Sequence, residues 1–293
     1  MPQRLSWEED GRDWPNRAAS RFVEAAGMTW HVQRTGQGPT ILLVHGTGAA
    51  THSWRDVAPL LARHFDVIAP DLPGHGFTDP LPNAVSLSSF SQAVGALMGT
   101  LGVQPALAIG HSAGAAVLIR MSLDGLIHPA GLVGINPALL PFRGVAARVF
   151  APLAKLMALN PLVPRMVSAT LDRRGAKRMI GNTGSEIDAL GVDLYARVVA
   201  SPAHVRGALD MMANWDLDAL AAAMPGLRPP FYQIIGGNDR AVPPEEAERV
   251  RELLPASTVT YVRGLGHLAH EERPEAIVDL IQAFANQVGV LAR

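Results

Sequence analysis

The residues best suited to chemistry are Gly110-His111-Ser112-Ala113-Gly114. They follow an apolar run at 106–109 and lead straight into a helical stretch at 113–123. Glycines on both sides of a serine permit a strained strand-to-helix turn that lifts the hydroxyl out at the strand end. The helix that starts there leaves backbone N–H groups without intrahelical partners, available to charge developing beside Ser112. With 28 glycines in 293 residues such a motif also arises by chance. The strand before it and the helix after it supply the specificity.

A serine hydroxyl is a weak nucleophile until a base takes its proton. Of the ten histidines, His267 has the right place, in Gly264-Leu265-Gly266-His267-Leu268-Ala269-His270, between the last expected strand and the last expected helix. His31 falls in a hairpin, His64 at a helix end and His204 in a helical block, so these read as surface or satisfied interior residues. His267 and His270 would suit a metal pair, but no further ligand set accompanies them, so neither metal nor cofactor is expected. The acid that orients the base should lie between serine and histidine in the chain. Asp239, in Gly236-Gly237-Asn238-Asp239-Arg240, follows the next-to-last strand and would hold the His267 tautomer. The corresponding place after the preceding strand holds Asn136, and Asp71 precedes the serine.

His45-Gly46-Thr47-Gly48 ends the apolar run 41–44. A glycine-bracketed loop there brings a backbone N–H close to substrate, so the N–H groups of Thr47 and Ala113 are the expected oxyanion hole. His45, Gly46, Gly48, Gly110, His111 and Gly114 would support the pocket and its turns. The same Gly46-x-Gly48, with Asp71 further on, is the rival pattern of a dinucleotide site; its third position is Thr51, which would crowd helix against strand. Asp71-Leu72-Pro73-Gly74-His75-Gly76-Phe77-Thr78 reads as a structural turn that stiffens the pocket rim.

Positioning these loops requires an alternation of strands and helices. Hydrophobic residues make up 48% and charged residues 17%, enough for a sizeable core. The net charge of −1 and scattered Lys and Arg exclude nucleic acid as an expected partner. There is no cysteine, which excludes disulfides and thiolate chemistry. No stretch has the roughly 18 apolar residues of a membrane span, and residues 1–14 carry too many acids for a secretory leader. A cytoplasmic location is expected, with peripheral association to a membrane left open.

Residues 1–19, with Trp7 and Trp14, form a polar arm, ordered on the domain or flexible. A hairpin is expected over 21–34, and strands at 41–44, 67–69, 106–109, 132–135, 231–235 and 259–262. Helices at 54–64, 90–101, 113–123, 244–254 and 274–288 separate them and imply a parallel sheet with right-handed crossovers. From 138 to 225 only helical pieces are expected, at 145–158, 162–171, 186–199 and 204–220. This block is expected to be a helical cap inserted between two core segments, 20–137 and 226–293.

Together these motifs resemble the α/β-hydrolase superfamily over about residues 20–290. The resemblance implies an α/β fold, with a mostly parallel sheet, flanking helices and a cap insertion, and a Ser112–His267–Asp239 triad. Trp7-Glu8-Glu9-Asp10-Gly11-Arg12-Asp13-Trp14, Trp30-His31-Val32-Gln33-Arg34 and Ala50-Thr51-His52-Ser53-Trp54 further resemble the magnesium-chelatase accessory hydrolases. Those are encoded in the bacteriochlorophyll biosynthesis clusters of phototrophic bacteria. That likeness implies a role in photosynthetic pigment synthesis, near magnesium insertion into protoporphyrin, and names no substrate.

Two functions are weighed, beside a third option, lyase or cofactor-free haloperoxidase chemistry at the same residues, which no residue selects. The first is a serine hydrolase cleaving an ester or related bond of a bulky apolar molecule, a tetrapyrrole included; the apolar cap piece at 145–158 suits such a ligand, although plain packing on the core explains it as well. The second is an accessory protein that binds a porphyrin or the magnesium chelatase without catalysis.

Overall fold

The computed structural model describes residues 3–141, 160 and 162–291. Eight strands form one sheet in the order β1-β2-β4-β3-β5-β6-β7-β8. They are β1 (Ser20–Ala25), β2 (Met28–Thr35), β3 (Thr40–Val44), β4 (Asp66–Pro70), β5 (Leu107–His111), β6 (Gly131–Ile135), β7 (Phe231–Gly236) and β8 (Thr258–Val262). The hairpin β1–β2 and the β2–β4 pair are antiparallel, and all other pairings are parallel. The expected α/β architecture is therefore present.

The continuous apolar run of β3 follows from burial on both faces. Leu42 and Val44 belong to a core that includes Phe90, Val94 and Val117, from α2 (Leu87–Leu101) and α3 (Ala113–Leu123). Ile41 and Leu43 point the other way, into a core with Leu61, Ile277 and Ile281. Leu61 ends the short helix α1 (Val57–Leu61). The helix expected over 54–64 is broken: a 3-10 turn, Thr51–Trp54, precedes α1. Pro59 has no N–H to offer the Arg55 carbonyl, and the Asn16 side chain donates to that oxygen instead at 3.0 Å.

Between β6 and β7 the described residues contain five α-helices: α4 (Val163–Thr170), α5 (Arg173–Asn182), α6 (Ala189–Val199), α7 (Pro202–Ala213) and α8 (Leu217–Ala223). The piece expected at 145–158 lies outside the described residues. The single helix expected over 204–220 is two, because Asp216 accepts from the N–H groups of Asp218 and Ala219 and starts α8 afresh. Helix α5 carries no expectation from the sequence; its residues Arg173, Arg174, Lys177 and Arg178 hide the apolar period, although Asp172 caps it.

The N-terminal arm is ordered over its described residues, 3–19. Trp14 is buried and its Nε1–H donates to Thr51 Oγ1 at 3.0 Å. Arg197 of α6 donates to the Asp10 carbonyl and pairs with Asp13, while Trp7 and Trp14 stand edge-on to Phe77. The arm thus ties α6 to the loops that carry Thr51 and Phe77. In the last part of the chain α9 (Glu246–Leu253) precedes β8, and α10 (Ala269–Glu272) and α11 (Pro274–Gln287) follow it.

Candidate active site

Ser112 sits between β5 and α3 with φ 51° and ψ −120°, a conformation costly for a side-chain-bearing residue. Its surroundings enforce it. A Cβ on Gly110 would lie 2.4 Å from Ala115 N, and one on Gly114 would lie 2.2 Å from the Val44 carbonyl oxygen. Only glycine permits the helix to start this close to β3. A Cβ on Gly46 would stand 2.9 Å from His111 Nδ1 and 3.0 Å from Ser112 Cβ, so the 45–48 loop presses directly on the elbow.

That loop is held by two imidazoles. Leu72 N–H donates to His45 Nε2 at 2.9 Å, so the His45 proton is on Nδ1 and is given to the Gly46 carbonyl at 2.8 Å. Gly76 N–H donates to His204 Nδ1 at 3.0 Å, and His204 Nε2–H reaches the Gly48 carbonyl at 3.1 Å. Both rings are buried, and burial pushes their pKa values down, to about 4 for His204. Between these two anchored carbonyls, Thr47 N–H has no partner among the described residues, and neither has Ala113 N–H.

His267 lies on the loop after β8 and Asp239 on the loop after β7. His267 Nδ1 donates to Asp239 Oδ2 at 2.7 Å, and the carboxylate is fully buried. Asp239 Oδ1 accepts from Ala241 N–H at 2.8 Å and Val242 N–H at 2.9 Å, which fixes the acid without help from the base. His267 Nε2 has no partner among the described residues. No hydrogen bond joins it to the Ser112 hydroxyl there; the two segments meet through His111, whose Nε2–H donates to the His267 carbonyl at 2.9 Å. Burial holds the His111 pKa well below its ordinary value, so this ring stays neutral.

The sequence located Asn136 but gave it no task. It has φ 44°, and its amide donates to the carbonyls of Gly266 (2.9 Å) and His267 (2.7 Å) while its oxygen accepts from Gly236 N–H (2.7 Å). It therefore splices the ends of β6 and β7 to the histidine loop. His204, expected to be surface or satisfied interior, is satisfied interior and also braces the Gly48 loop. His270 is committed to Ser53, with Nε2 2.8 Å from its hydroxyl.

Asp71 proves to be an organiser of loops. It accepts from Thr51 N–H at 2.6 Å, Phe77 N–H at 3.0 Å and His31 Nδ1 at 2.8 Å. Burial opposes its charge, yet the adjacent His31 holds its carboxyl well below the usual carboxylate range. Ser20 Oγ lies 2.9 Å from His31 Nε2, so Ser20–His31–Asp71 is also a Ser-His-Asp set, and in this one both contacts are hydrogen bonds. Ser20 begins an ordinary edge strand and has no glycine elbow or helix start beside it. Geometry of three side chains alone does not make a reactive site.

The fold and this constellation define a class. The chain belongs to the α/β hydrolase family, whose profile matches residues 41–280. It is 38% identical over 277 residues to the magnesium-chelatase 30 kDa subunit of Rhodobacter capsulatus, a match spanning 92% of this chain and 95% of that one. It is 27% identical over 266 residues to the pimeloyl-[acyl-carrier protein] methyl ester esterase of Vibrio vulnificus, covering 88% and 98%. A putative lipase from Acinetobacter baumannii has the same fold, with a TM-score of 0.79, 18% identity and 97% of each chain covered. No helix of the described residues is long and apolar enough to cross a membrane.

Proposed function

We propose that the protein is a serine hydrolase that cleaves an ester or related bond of a bulky apolar molecule in magnesium-porphyrin or bacteriochlorophyll metabolism. The observation that carries this reading is the 2.7 Å His267–Asp239 pair beside the strained Ser112 elbow. Ser112 Oγ attacks the substrate carbonyl while His267 Nε2 takes its proton. The carbonyl oxygen gains negative charge and is received by the uncommitted N–H groups of Thr47 and Ala113. Collapse breaks the bond to the leaving oxygen, which accepts the proton back from His267. Water, deprotonated by His267, then attacks the acyl carbon and releases Ser112. Asp239 keeps its charge throughout and steadies the imidazolium. The helical insertion acts as the cap over this site.

The pigment context rests on the Rhodobacter capsulatus relative, which is named as a chelatase subunit. That name also supports a second reading, in which the chain binds a porphyrin or the chelatase and the triad is dispensable. Complementation separates the two. In a strain lacking this gene, Ser112→Ala at normal abundance is expected to leave bacteriochlorophyll low and an esterified precursor accumulated. Full pigment with Ser112→Ala would favour the binding reading.

A further inference from the structure

Asp239 and His267 stand on two different loops, so their 2.7 Å contact depends on how those loops are held together. Part of the holding comes from the helical insertion, at the turn Thr183-Gly184-Ser185 between α5 and α6. The Thr183 carbonyl accepts from Arg240 N–H, next to Asp239, at 3.0 Å and from His267 N–H at 3.4 Å. Ser185 is buried, and its hydroxyl accepts from Leu268 N–H at 2.8 Å. Gly184 has φ +83°, and a Cβ there would lie 2.0 Å from the Asn238 carbonyl oxygen. A Cβ on Gly266 would in turn lie 2.3 Å from Gly184. Glu272 adds a further tie, accepting from Gly266 N–H at 2.8 Å and Glu186 N–H at 3.3 Å.

We infer that Thr183-Gly184-Ser185 is a positioning element for the catalytic acid and base, with Ser185 as its key side chain. The inference rests on the serine-hydrolase reading above. One turn bonds both loops, and backbone passes backbone at distances that leave no slack. No hydrogen bond among the described residues links Thr183, Gly184 or Ser185 to Ser112, so the turn sets the aim of His267 rather than the place of Ser112. The insertion is then part of the reacting assembly, since a shift of α5 moves Thr183 and with it the acid and base. Misalignment on the ångström scale is enough to slow an oriented proton transfer about a hundredfold. Losing one of several ties should cost less.

The test is the rate at which a fluorophosphonate inactivates the full-length protein, followed from pH 6.5 to 9. Ser185→Ala is expected to slow inactivation about tenfold and to displace the midpoint of its pH dependence. Ser185→Thr, which keeps the hydroxyl, is expected to stay within about twofold of wild type on the same reasoning. A folded Ser185→Ala protein with wild-type rate and midpoint overturns the inference while leaving the hydrolase reading intact. Should Ser185→Ala not fold, Ser185→Cys, near in size but a weak acceptor, carries the same expectation and the same contradiction. A wild type that never labels overturns the hydrolase reading and the inference with it.

Discussion

Asp239→Asn is expected to lower kcat for ester hydrolysis about 10⁴-fold while leaving the fold intact. The carboxylate accepts from His267 Nδ1–H through Oδ2, and Oδ1 accepts two amides, from Ala241 and Val242. Asparagine can keep the two amides on its oxygen, so the loop stays in place. Its NH₂ group then faces Nδ1 and donates to it. The His267 proton moves to Nε2, the nitrogen that must be bare to deprotonate Ser112. The loss is one of tautomer rather than of stability, so it should appear in kcat with an unchanged melting temperature. A variant that retains more than a tenth of wild-type activity would contradict the assignment of Asp239.

Acid should unfold this protein at an unusually mild pH. His45, His52, His75, His111, His204 and His270 are all fully buried, and burial is the leading cause that lowers each pKa, to about 4 for His204 and about 3 for His270. An unfolded chain protonates its histidines below about pH 6.5. The folded chain keeps all six neutral to lower pH than that, and His52, His75, His111, His204 and His270 well below it, so the unfolded state binds more protons. Stability is thus complete above about pH 6.5 and falls as pH drops, by about 1.4 kcal/mol per pH unit for each fully linked proton. The five held well below approach about 7 kcal/mol per unit together, against a total stability of about 5–15 kcal/mol. Glu271, raised by burial, opposes this by a single proton and only near the carboxylate range. Denaturant melts at pH 7.5, 6.5 and 5.5 should lose stability steeply between the last two. A flat profile down to pH 5.5 would show that these rings do not carry the linkage.

The residues proposed to carry the chemistry could be picked out because each sits at a strand end marked by glycine: Ser112 after β5, Asp239 after β7, His267 after β8. Glycine in such places reports close backbone approach, as Gly110 and Gly114 demonstrate. Residues that act through the chain's crossings were not legible. Nothing local to Asn136, His204 or Ser185 reveals that one splices three loops, one braces the Gly48 carbonyl and one holds Leu268 N–H. Their partners lie 83 to 156 positions away in sequence, and pairing over that span is decided by the sheet order. Helix α5 escaped notice for another reason. Its packing side is only Gly175, Ala176 and Ile180, too few apolar residues to set a period.

The most direct test of the central claim is covalent. The folded wild-type protein, treated with a fluorophosphonate and digested, should carry one adduct per chain on the peptide that contains Ser112, and Ser112→Ala should carry none. An unlabelled wild type, or an adduct on Ser20 of the second Ser-His-Asp set, would contradict the account.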